Sequence, residues 1–209
     1  MRPHRLVLAL VPLLNLHATR TFASQSVLSA VMSTSTLTQQ VSKLGNGVEV
    51  QNSGIQLDGK RRQIVEDALN LFSSQPSQDI FHRSWRLDAT FEDPLSKCIG
   101  YKQYAPQWYG MPKAFPTSRT LAYKVISSTE NPNRIVYEQK QEYTIRFIGT
   151  KKIMDSTVVI DLDENDKVIK LEDKWNGQDQ PTRFGTLWLR RLNAVTLPWL
   201  VKVPKPREE

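Results

Sequence analysis

Three consecutive stretches within residues 133–175 alternate apolar and polar side chains, and this alternation limits the folds open to the chain more than any other feature. A period of two is typical of strands that bury one face and expose the other. The polar run Asp163–Lys167 separates two of the stretches and predicts a short turn. The three stretches therefore predict an antiparallel meander whose apolar face other elements must cover.

Helical periodicity precedes the meander. Residues 58–74 place apolar side chains at helical spacing, and residues 77–85 predict a short second helix that leads into a strand ending at Asp93. A third helical region begins at Gly100, where Pro106 must kink the helix or mark a restart. This order of elements predicts an α+β fold in which a curved sheet wraps around helices and encloses an interior pocket.

Charge is concentrated at the two ends of the chain. The 209 residues carry a net charge of +7, but residues 1–48 and the last 27 residues each contribute +4, and residues 49–182 carry −1. A nucleic-acid groove needs basic residues on the folded surface, so no nucleic-acid partner is expected. The length favours one domain, which we bound at residues 57–180, followed by a C-terminal helix and basic tail at 181–209 that pack on it.

Cysteine and histidine are too scarce for several kinds of site. Cys98 is the single cysteine, and His82 is the single histidine after position 17. An intrachain disulfide is therefore excluded, and neither a zinc site nor a Cys-His pair is expected. We predict chemistry without a metal or a cofactor. His82 is interpreted as an ordinary helix residue and Cys98 as an inert thiol in a loop.

Residues 1–56 are predicted to be a targeting segment and a disordered linker, because they are polar or basic and lack sustained periodicity. A mitochondrial presequence is favoured, since "RTFAS" resembles a mitochondrial processing pattern. A secretory signal with Leu6–Leu16 as its apolar region is the alternative. A third interpretation starts translation at Met32, which makes the protein cytoplasmic.

Two aspartates, Asp93 and Asp173, each share a strand face with apolar neighbours. A carboxylate in such a place is either hydrogen-bonded for structural reasons or has a raised pKa suited to proton transfer. For Asp93 the structural alternative is a cap on backbone N–H groups beside Pro94. For Asp173 it is an ion pair with Arg119, Arg86 or another cation near the mouth of the pocket. If both carboxyls enter the pocket, their repulsion raises one pKa and allows an acid and a base at neutral pH.

Aromatic and amide side chains are predicted to line the pocket. The aromatic candidates are Trp85, Trp108, Tyr137, Tyr143 and Trp175, and the amide candidates are Gln139 and Gln141. Ordinary core packing is the alternative for each aromatic ring. Buried amides need partners, which a bound polar group or water provides. The expected ligand is therefore small and apolar with a polar group.

The C-terminal segment carries an apolar stripe at helical spacing. Its members are Phe184, Trp188, Leu192 and Val195. Packing of this stripe on the sheet is favoured, and a homodimer contact is a variant of that interpretation. Peripheral attachment to an anionic membrane is the less favoured alternative. Trp199 is the residue left over for a partner.

Over residues 58–177 the chain resembles the NTF2-like superfamily, particularly its SnoaL-like and ketosteroid-isomerase-like branches. The segment "DATFEDP" looks like the one that carries the isomerase's general base, and the aspartate before proline falls on Asp93. The resemblance implies a cone-shaped α+β domain around a small-molecule pocket. It also implies a cofactor-free isomerase, cyclase or dehydratase with Asp93 as base, and the strand face of Asp173 makes that residue the expected partner of Asp93. A non-catalytic ligand-binding or protein-interaction module of the same fold is the alternative.

The oxyanion site is where the sequence departs from the isomerase pattern. Ketosteroid isomerase stabilises its enolate with a tyrosine and a protonated aspartate, and the resemblance puts Val65 and Val158 at those positions. A base without such donors gives only about 10²–10⁴-fold acceleration. Steroid isomerisation is therefore disfavoured, unless Tyr137, Tyr143 or Gln139 donates from another wall of the pocket.

Overall fold

The computed structural model describes residues 40–207, so the predictions for the targeting segment and for a start at Met32 lie outside the described residues. The strands are β1 (Val41–Lys43), β2 (Glu49–Gln51), β3 (Trp85–Glu92), β4 (Lys97–Ile99), β5 (Thr117–Glu130), β6 (Asn133–Thr144), β7 (Lys151–Leu162) and β8 (Val168–Trp175). The α-helices are α1 (Gly59–Phe72), α2 (Gln78–Ser84), α3 (Tyr101–Ala114) and α4 (Phe184–Thr196), and a 3₁₀ turn (Leu197–Trp199) follows α4.

The main sheet has the spatial strand order β4-β3-β8-β7-β6-β5. Strands β5 to β8 pair antiparallel in sequence order, and β3 lies parallel to β8. The predicted meander is therefore confirmed. Together with the helices that precede it, this curved sheet forms the α+β fold expected of an NTF2-like cone.

Helices α1 and α3 contact β5 and β3, respectively, and each other. The predicted apolar stripes are buried, with Leu69 and Phe72 in α1 and Tyr104 and Trp108 in α3. The rings of Phe72 and Trp108 meet edge-on at 5.1 Å, which joins the two helices in one core. Burial of a side chain of this size contributes about 1.5–3 kcal/mol. Helix α3 continues past Pro106, so this proline does not mark a restart.

The disorder expected up to Gln56 is wrong for the described residues from 40 onward. Strands β1 and β2 form a hairpin, and Leu44 and Val50 belong to the domain core. Asn52 ties this segment to β5, because its Oδ1 accepts a hydrogen bond from the backbone N–H of Val125 at 3.1 Å. The folded domain therefore begins before the predicted boundary. Strands of three residues are too short for alternation to signal them.

Helix α4 packs with the face opposite to the predicted one. It contacts β4 and α3, but its buried face carries Arg190. The apolar stripe points to solvent instead, with Phe184 87% exposed and Trp188 59% exposed. The expectation that this stripe packs on the sheet is therefore wrong, because hydrogen bonds of Arg190 inside the fold set the orientation of the helix. The tail beyond α4 lies on the domain, where the Tyr101 hydroxyl donates to the carbonyl of Pro204 at 3.0 Å.

Candidate functional site

The strand pairing brings Asp93 and Asp173 together. Strands β3 and β8 are parallel neighbours in which Phe91 pairs with Leu171. The last residue pair of this register is Glu92 with Glu172, so Asp93, the residue directly after β3, comes next to Asp173. The alternation of side chains along a strand directs both carboxyls to the face on which Phe91 and Leu171 are buried, and Asp173 lies close enough for its repulsion to raise the pKa of Asp93. The two aspartates that the sequence singled out thus form one pair.

The two carboxylate oxygens of Asp93 have different surroundings. Oδ1 accepts hydrogen bonds from the backbone N–H groups of Leu95 at 2.8 Å and Ser96 at 2.5 Å. This is the cap that was the structural alternative for Asp93. None of the described residues donates to Oδ2, and the side chain keeps part of its surface accessible. The carboxyl can therefore stabilise the turn after β3 through Oδ1 and exchange a proton at Oδ2.

Burial and a neighbouring carboxyl raise the pKa of Asp93 to about 7, from an ordinary value of 3.8. Desolvation is the larger cause, and repulsion from Asp173 is the second. The N–H groups of Leu95 and Ser96 and the charge of Arg190 favour the ionised form and limit the rise of the pKa. Near neutral pH the carboxyl is thus close to half-protonated, which suits a group that takes up and returns a proton.

Asp173 is the second carboxyl of the site, and burial raises its pKa to about 6. The Ser156 hydroxyl and the indole of Trp175 favour its ionised form, and Trp175 Nε1 donates to Oδ2 at 2.8 Å. The other oxygen, Oδ1, is buried and has no hydrogen-bond partner among the described residues. Asp173 thus presents one acceptor that its own surroundings leave unsatisfied.

The ion pair that was the structural alternative for Asp173 does not form with any cation among the described residues. Arg119 binds Glu142, its partner across the β5–β6 ladder, at 2.6 Å. Arg86 binds Asp88, two residues further along β3, at 2.8 Å. Neither arginine compensates the buried charge of Asp173, and the pKa of this carboxyl is therefore raised rather than lowered.

A chain of hydrogen bonds crosses the same face of the sheet from β5 to β7. Gln141 Nε2 donates to Thr120 Oγ1 at 2.7 Å and to Gln139 Oε1 at 3.3 Å. Gln139 Nε2 in turn donates to Ser156 Oγ at 3.3 Å, and Ser156 adjoins Asp173. The two predicted amide residues therefore lie beside the carboxyl pair, where they orient Ser156 and each other.

Four of the predicted site residues carry a buried polar atom that has no hydrogen-bond partner among the described residues. These atoms are Trp108 Nε1, Tyr137 OH, Gln141 Oε1 and Asp173 Oδ1. Leaving a buried polar atom unpaired costs about 1–3 kcal/mol, so such atoms normally have a partner. A bound polar group or ordered water supplies the missing bonds. These atoms are the feature that most directly indicates a small-molecule site.

Tyr137 and Tyr143 differ in burial and in the residues that they contact. Tyr137 is fully buried and pairs with Val158 on β7, which in turn pairs with Asp173 on β8. Burial, followed by the charge of Asp173, raises the pKa of Tyr137 well above 10.0, so its hydroxyl keeps its proton at physiological pH. Tyr143 is half-buried, and its ring packs against Phe115 at 5.0 Å. Burial raises the pKa of Tyr143 as well, so what distinguishes Tyr137 is a fully buried hydroxyl without a partner among the described residues.

Trp85 lies far along β3 from Asp93, although its ring neighbours that of Trp108 at 6.4 Å. It begins β3, eight residues before Asp93, a separation of roughly 25 Å along an extended strand. Its ring packs against Tyr104 at 4.9 Å in the aromatic core. Trp108, in contrast, packs at 4.8 Å on Phe91, which shares a strand face with Asp93. Trp85 is thus a core residue, and Trp108 reaches the site.

Arg190 of α4 is a site residue that the sequence pattern did not single out. The residue is only 2% exposed, and its Nε donates to the backbone carbonyl of Asp93 at 2.9 Å. Its Nη2 binds Glu92 Oε2 at 3.0 Å and the carbonyl of Ser96 at 3.3 Å. Arg190 therefore holds the turn that carries Asp93. The sequence could not single out Arg190, because Arg191 is the same residue type at the next position. Only the tertiary contacts of the two arginines distinguish them.

Potential metal ligands and nucleophiles do not gather at the site. Within residues 40–207 no three His, Cys, Asp or Glu side chains lie close enough to hold an ion together. Cys98 was expected in a loop, and this is wrong, since it lies in β4 and is fully buried. Burial raises the pKa of its thiol, which keeps the sulfur protonated. His82 is exposed in α2. The absence of a metal or cofactor from the chemistry stays a prediction.

Comparisons with known proteins concern the fold. No family model and no curated protein matches the chain. Among solved structures it is similar to an NTF2-like protein of unknown function from Exiguobacterium sp. 255-15, at 12% identity and a TM-score of 0.45, over 55% of this chain and 99% of that one. An NTF2-like protein from Anabaena variabilis ATCC 29413 matches at 19% identity and a TM-score of 0.47, over 57% and 88%.

A third match is a protein with a ketosteroid isomerase-like fold from Catenulispora acidiphila, solved in complex with trimethylamine, at 10% identity and a TM-score of 0.44, over 53% and 83%. The first two are described as NTF2-like and the third as having a ketosteroid isomerase-like fold, so the likeness concerns the fold alone. At such low identities no activity carries over from one chain to another. The chemistry of this protein must therefore be inferred from its own carboxyls, amides and aromatic rings.

Proposed function

We propose that this chain is a small-molecule pocket protein that moves a proton beside a carbonyl group, as a cofactor-free isomerase, cyclase or dehydratase of the SnoaL-like type. One observation carries the proposal. Oδ2 of Asp93 has no donor among the described residues, and the carboxyl has a pKa of about 7. A strand-end cap requires neither an unshared oxygen nor a raised pKa.

In this proposal Asp93 is the general base. Its ionised Oδ2 takes a proton from the carbon next to the substrate carbonyl, and the electron pair of that C–H bond moves into an enolate. In an isomerase the protonated Asp93 returns the proton to another carbon. In a dehydratase it gives the proton to a departing hydroxyl group, which leaves as water. Either way the carboxylate is regenerated. Burial raises the pKa of Asp93 towards neutrality, and repulsion from Asp173 adds to the rise.

The enolate oxygen needs a donor, since charge that develops in a site without donors is poorly stabilised. We assign this task to Tyr137, whose buried hydroxyl has no partner among the described residues and keeps its proton. Trp108 Nε1 is a second unpaired donor. Gln139 is a poorer choice, because its Nε2 already binds Ser156 and its Oε1 accepts from Gln141.

A non-catalytic ligand-binding module is the second candidate. The observation in its favour is the cap made by Oδ1 of Asp93 on Leu95 and Ser96, which gives the residue a structural task. Asparagine retains that oxygen. In such a module the substitution Asp93→Asn leaves ligand binding unchanged, and the wild-type protein converts nothing.

Native mass spectrometry of the full chain, expressed in eukaryotic cells, tests the choice between the two functions. Wild type and Asp93→Asn are compared with Asp155→Asn, in which a carboxylate with a 49% exposed side chain on β7 is replaced. We expect a small molecule to accumulate in Asp93→Asn, because the substrate binds and is not converted. Wild type and Asp155→Asn should convert the released molecule at least about 100-fold faster than Asp93→Asn. The same unconverted molecule in all three forms would instead support the binding module.

A further inference from the structure

Helix α4 exposes its apolar face and buries a charged one, the reverse of an ordinary surface helix. Its buried face carries Arg190, and its exposed face carries an apolar stripe that spans roughly 80° of the helix circumference. The 3₁₀ turn extends the stripe, with Trp199 82% exposed and Leu200 59% exposed. We refer to these exposed apolar residues as the α4 patch: Phe184, Trp188, Leu192, Val195, Trp199 and Leu200.

The α4 patch differs from scattered exposed apolar residues. Single apolar side chains are common on protein surfaces, whereas a contiguous stripe indicates a surface that binds something. The patch includes three large aromatic rings, and Trp and Phe are the residues that favour the boundary between water and lipid chains. The composition of the patch therefore matches that of an interfacial helix.

The segment that carries the α4 patch has charged residues of one sign. From Gln180 to Arg207 the chain contains no acidic residue. Arg183, Lys202 and Lys205 are exposed there, and none of them is ion-paired with a described residue. Residues 49–182, by contrast, carry a net charge of only −1. An apolar stripe flanked by unpaired cations complements a surface that is apolar inside and anionic outside.

We propose that the α4 patch docks this protein on a lipid bilayer that contains anionic lipids. In this arrangement α4 lies along the interface, the rings of the patch enter the acyl boundary, and Arg183, Lys202 and Lys205 contact the headgroups. The proposal does not rest on the function proposed for Asp93. None of the helices within residues 40–207 is both long and apolar enough to cross a membrane.

A second copy of the chain is the competing occupant of the patch, and the charges argue against it. In a two-fold symmetric dimer the same surface meets itself. The cations at the edge of one patch would then lie near those of the other, and like charges across a contact oppose it. Anionic headgroups remove this conflict, so the bilayer is the occupant that the charges favour.

Quenching of tryptophan fluorescence by brominated lipids tests the proposal on the full chain. Residues 1–39 contain no tryptophan, so any segment there is silent in this measurement. We expect vesicles of brominated phosphatidylcholine with phosphatidylserine to quench the wild-type protein. The double substitution Trp188→Phe and Trp199→Phe should abolish most of the quenching, although it preserves apolar rings. Arg183→Gln and Lys202→Gln should each weaken binding to these vesicles about fivefold.

A matched pair of phenylalanines supplies the control. Phe184 lies in the patch, and Phe147, which is 71% exposed in the turn between β6 and β7, lies outside it. We expect Phe184→Ser to reduce co-sedimentation with anionic vesicles about tenfold and Phe147→Ser to leave it unchanged. The proposal is overturned if wild type is not quenched, if quenching persists in the double variant, or if both serine variants bind alike. Self-association that Trp188→Ser abolishes, without vesicle binding, would assign the patch to a second copy.

Discussion

Replacing Asp93 by asparagine should make the folded protein more stable at pH 8. The pKa of Asp93 is raised from 3.8 to about 7, so ionising this carboxyl in the folded state costs free energy. The folded protein holds the proton more tightly than the unfolded chain does, and the free energy of unfolding therefore falls as the pH rises from 3.8 to about 7. Asparagine is never ionised, and its Oδ1 still accepts from Leu95 and Ser96.

We expect the gain in unfolding free energy at pH 8 to be about 2–4 kcal/mol, and the gain at pH 4 to be close to zero. Urea unfolding of wild type and Asp93→Asn at both pH values measures it. A smaller decline with pH remains in the variant, because the pKa of Asp173 is also raised. Asp155→Asn, the exposed control, should change stability by no more than about 0.5 kcal/mol. A variant that is destabilised equally at both pH values would mean that Asp93 has only its structural task.

Loss of Arg190 should destabilise the protein far more than loss of its neighbour Arg191. Arg190 binds the Glu92 carboxylate and donates to the carbonyls of Asp93 and Ser96 from a buried position. Removing one member of a buried ion pair costs about 3–5 kcal/mol. Lys97 lies 3.2 Å from Glu92 and compensates part of that loss, so we expect about 2–4 kcal/mol for Arg190→Gln.

Arg191→Gln is the matched control, since among the described residues this side chain binds only the Lys97 carbonyl and Gln103. Its loss should cost about 1 kcal/mol. Guanidinium chloride unfolding of both variants measures the difference. Arg190 also favours ionised Asp93, so Arg190→Gln should raise the pKa of Asp93, and Arg191→Gln should raise it less. Equal stability losses, together with an unchanged pKa of Asp93 in both variants, would contradict the role of Arg190 in holding the site.

The sequence showed which residues of a strand share a face, but it did not show which strands lie side by side in the sheet. Alternation put Asp93 and Asp173 on apolar faces, because a period of two is a local property. Their proximity depends on the parallel pairing of β3 with β8, which joins segments about 80 residues apart. The same limit explains Arg119, whose partner Glu142 lies across the β5–β6 ladder rather than at the site.

The C-terminal helix shows how tertiary contacts override a local pattern. Helical spacing correctly indicated a helix with an apolar stripe, and the usual rule buries such a stripe. Arg190 instead binds the Glu92 carboxylate at the end of β3 and the carbonyls of Asp93 and Ser96 in the turn that follows. A further bond goes to the carbonyl of Pro181, and together these bonds turn the stripe outward. No pattern within residues 184–196 reports on those partners, so the orientation of α4 could only come from the three-dimensional structure.

Asp93 and Asp173 should form a coupled pair that titrates near neutrality. Carbon-13 NMR titration of the aspartate carboxyls measures this, with Asp93→Asn assigning the Asp93 signal and Asp173→Asn removing its neighbour. We predict that Asp93 titrates at about pH 7 in the wild-type protein. Its pKa should fall in Asp173→Asn, because repulsion from that carboxyl is lost. An Asp93 signal that titrates near 3.8 in the wild-type protein, unchanged in Asp173→Asn, would contradict the account.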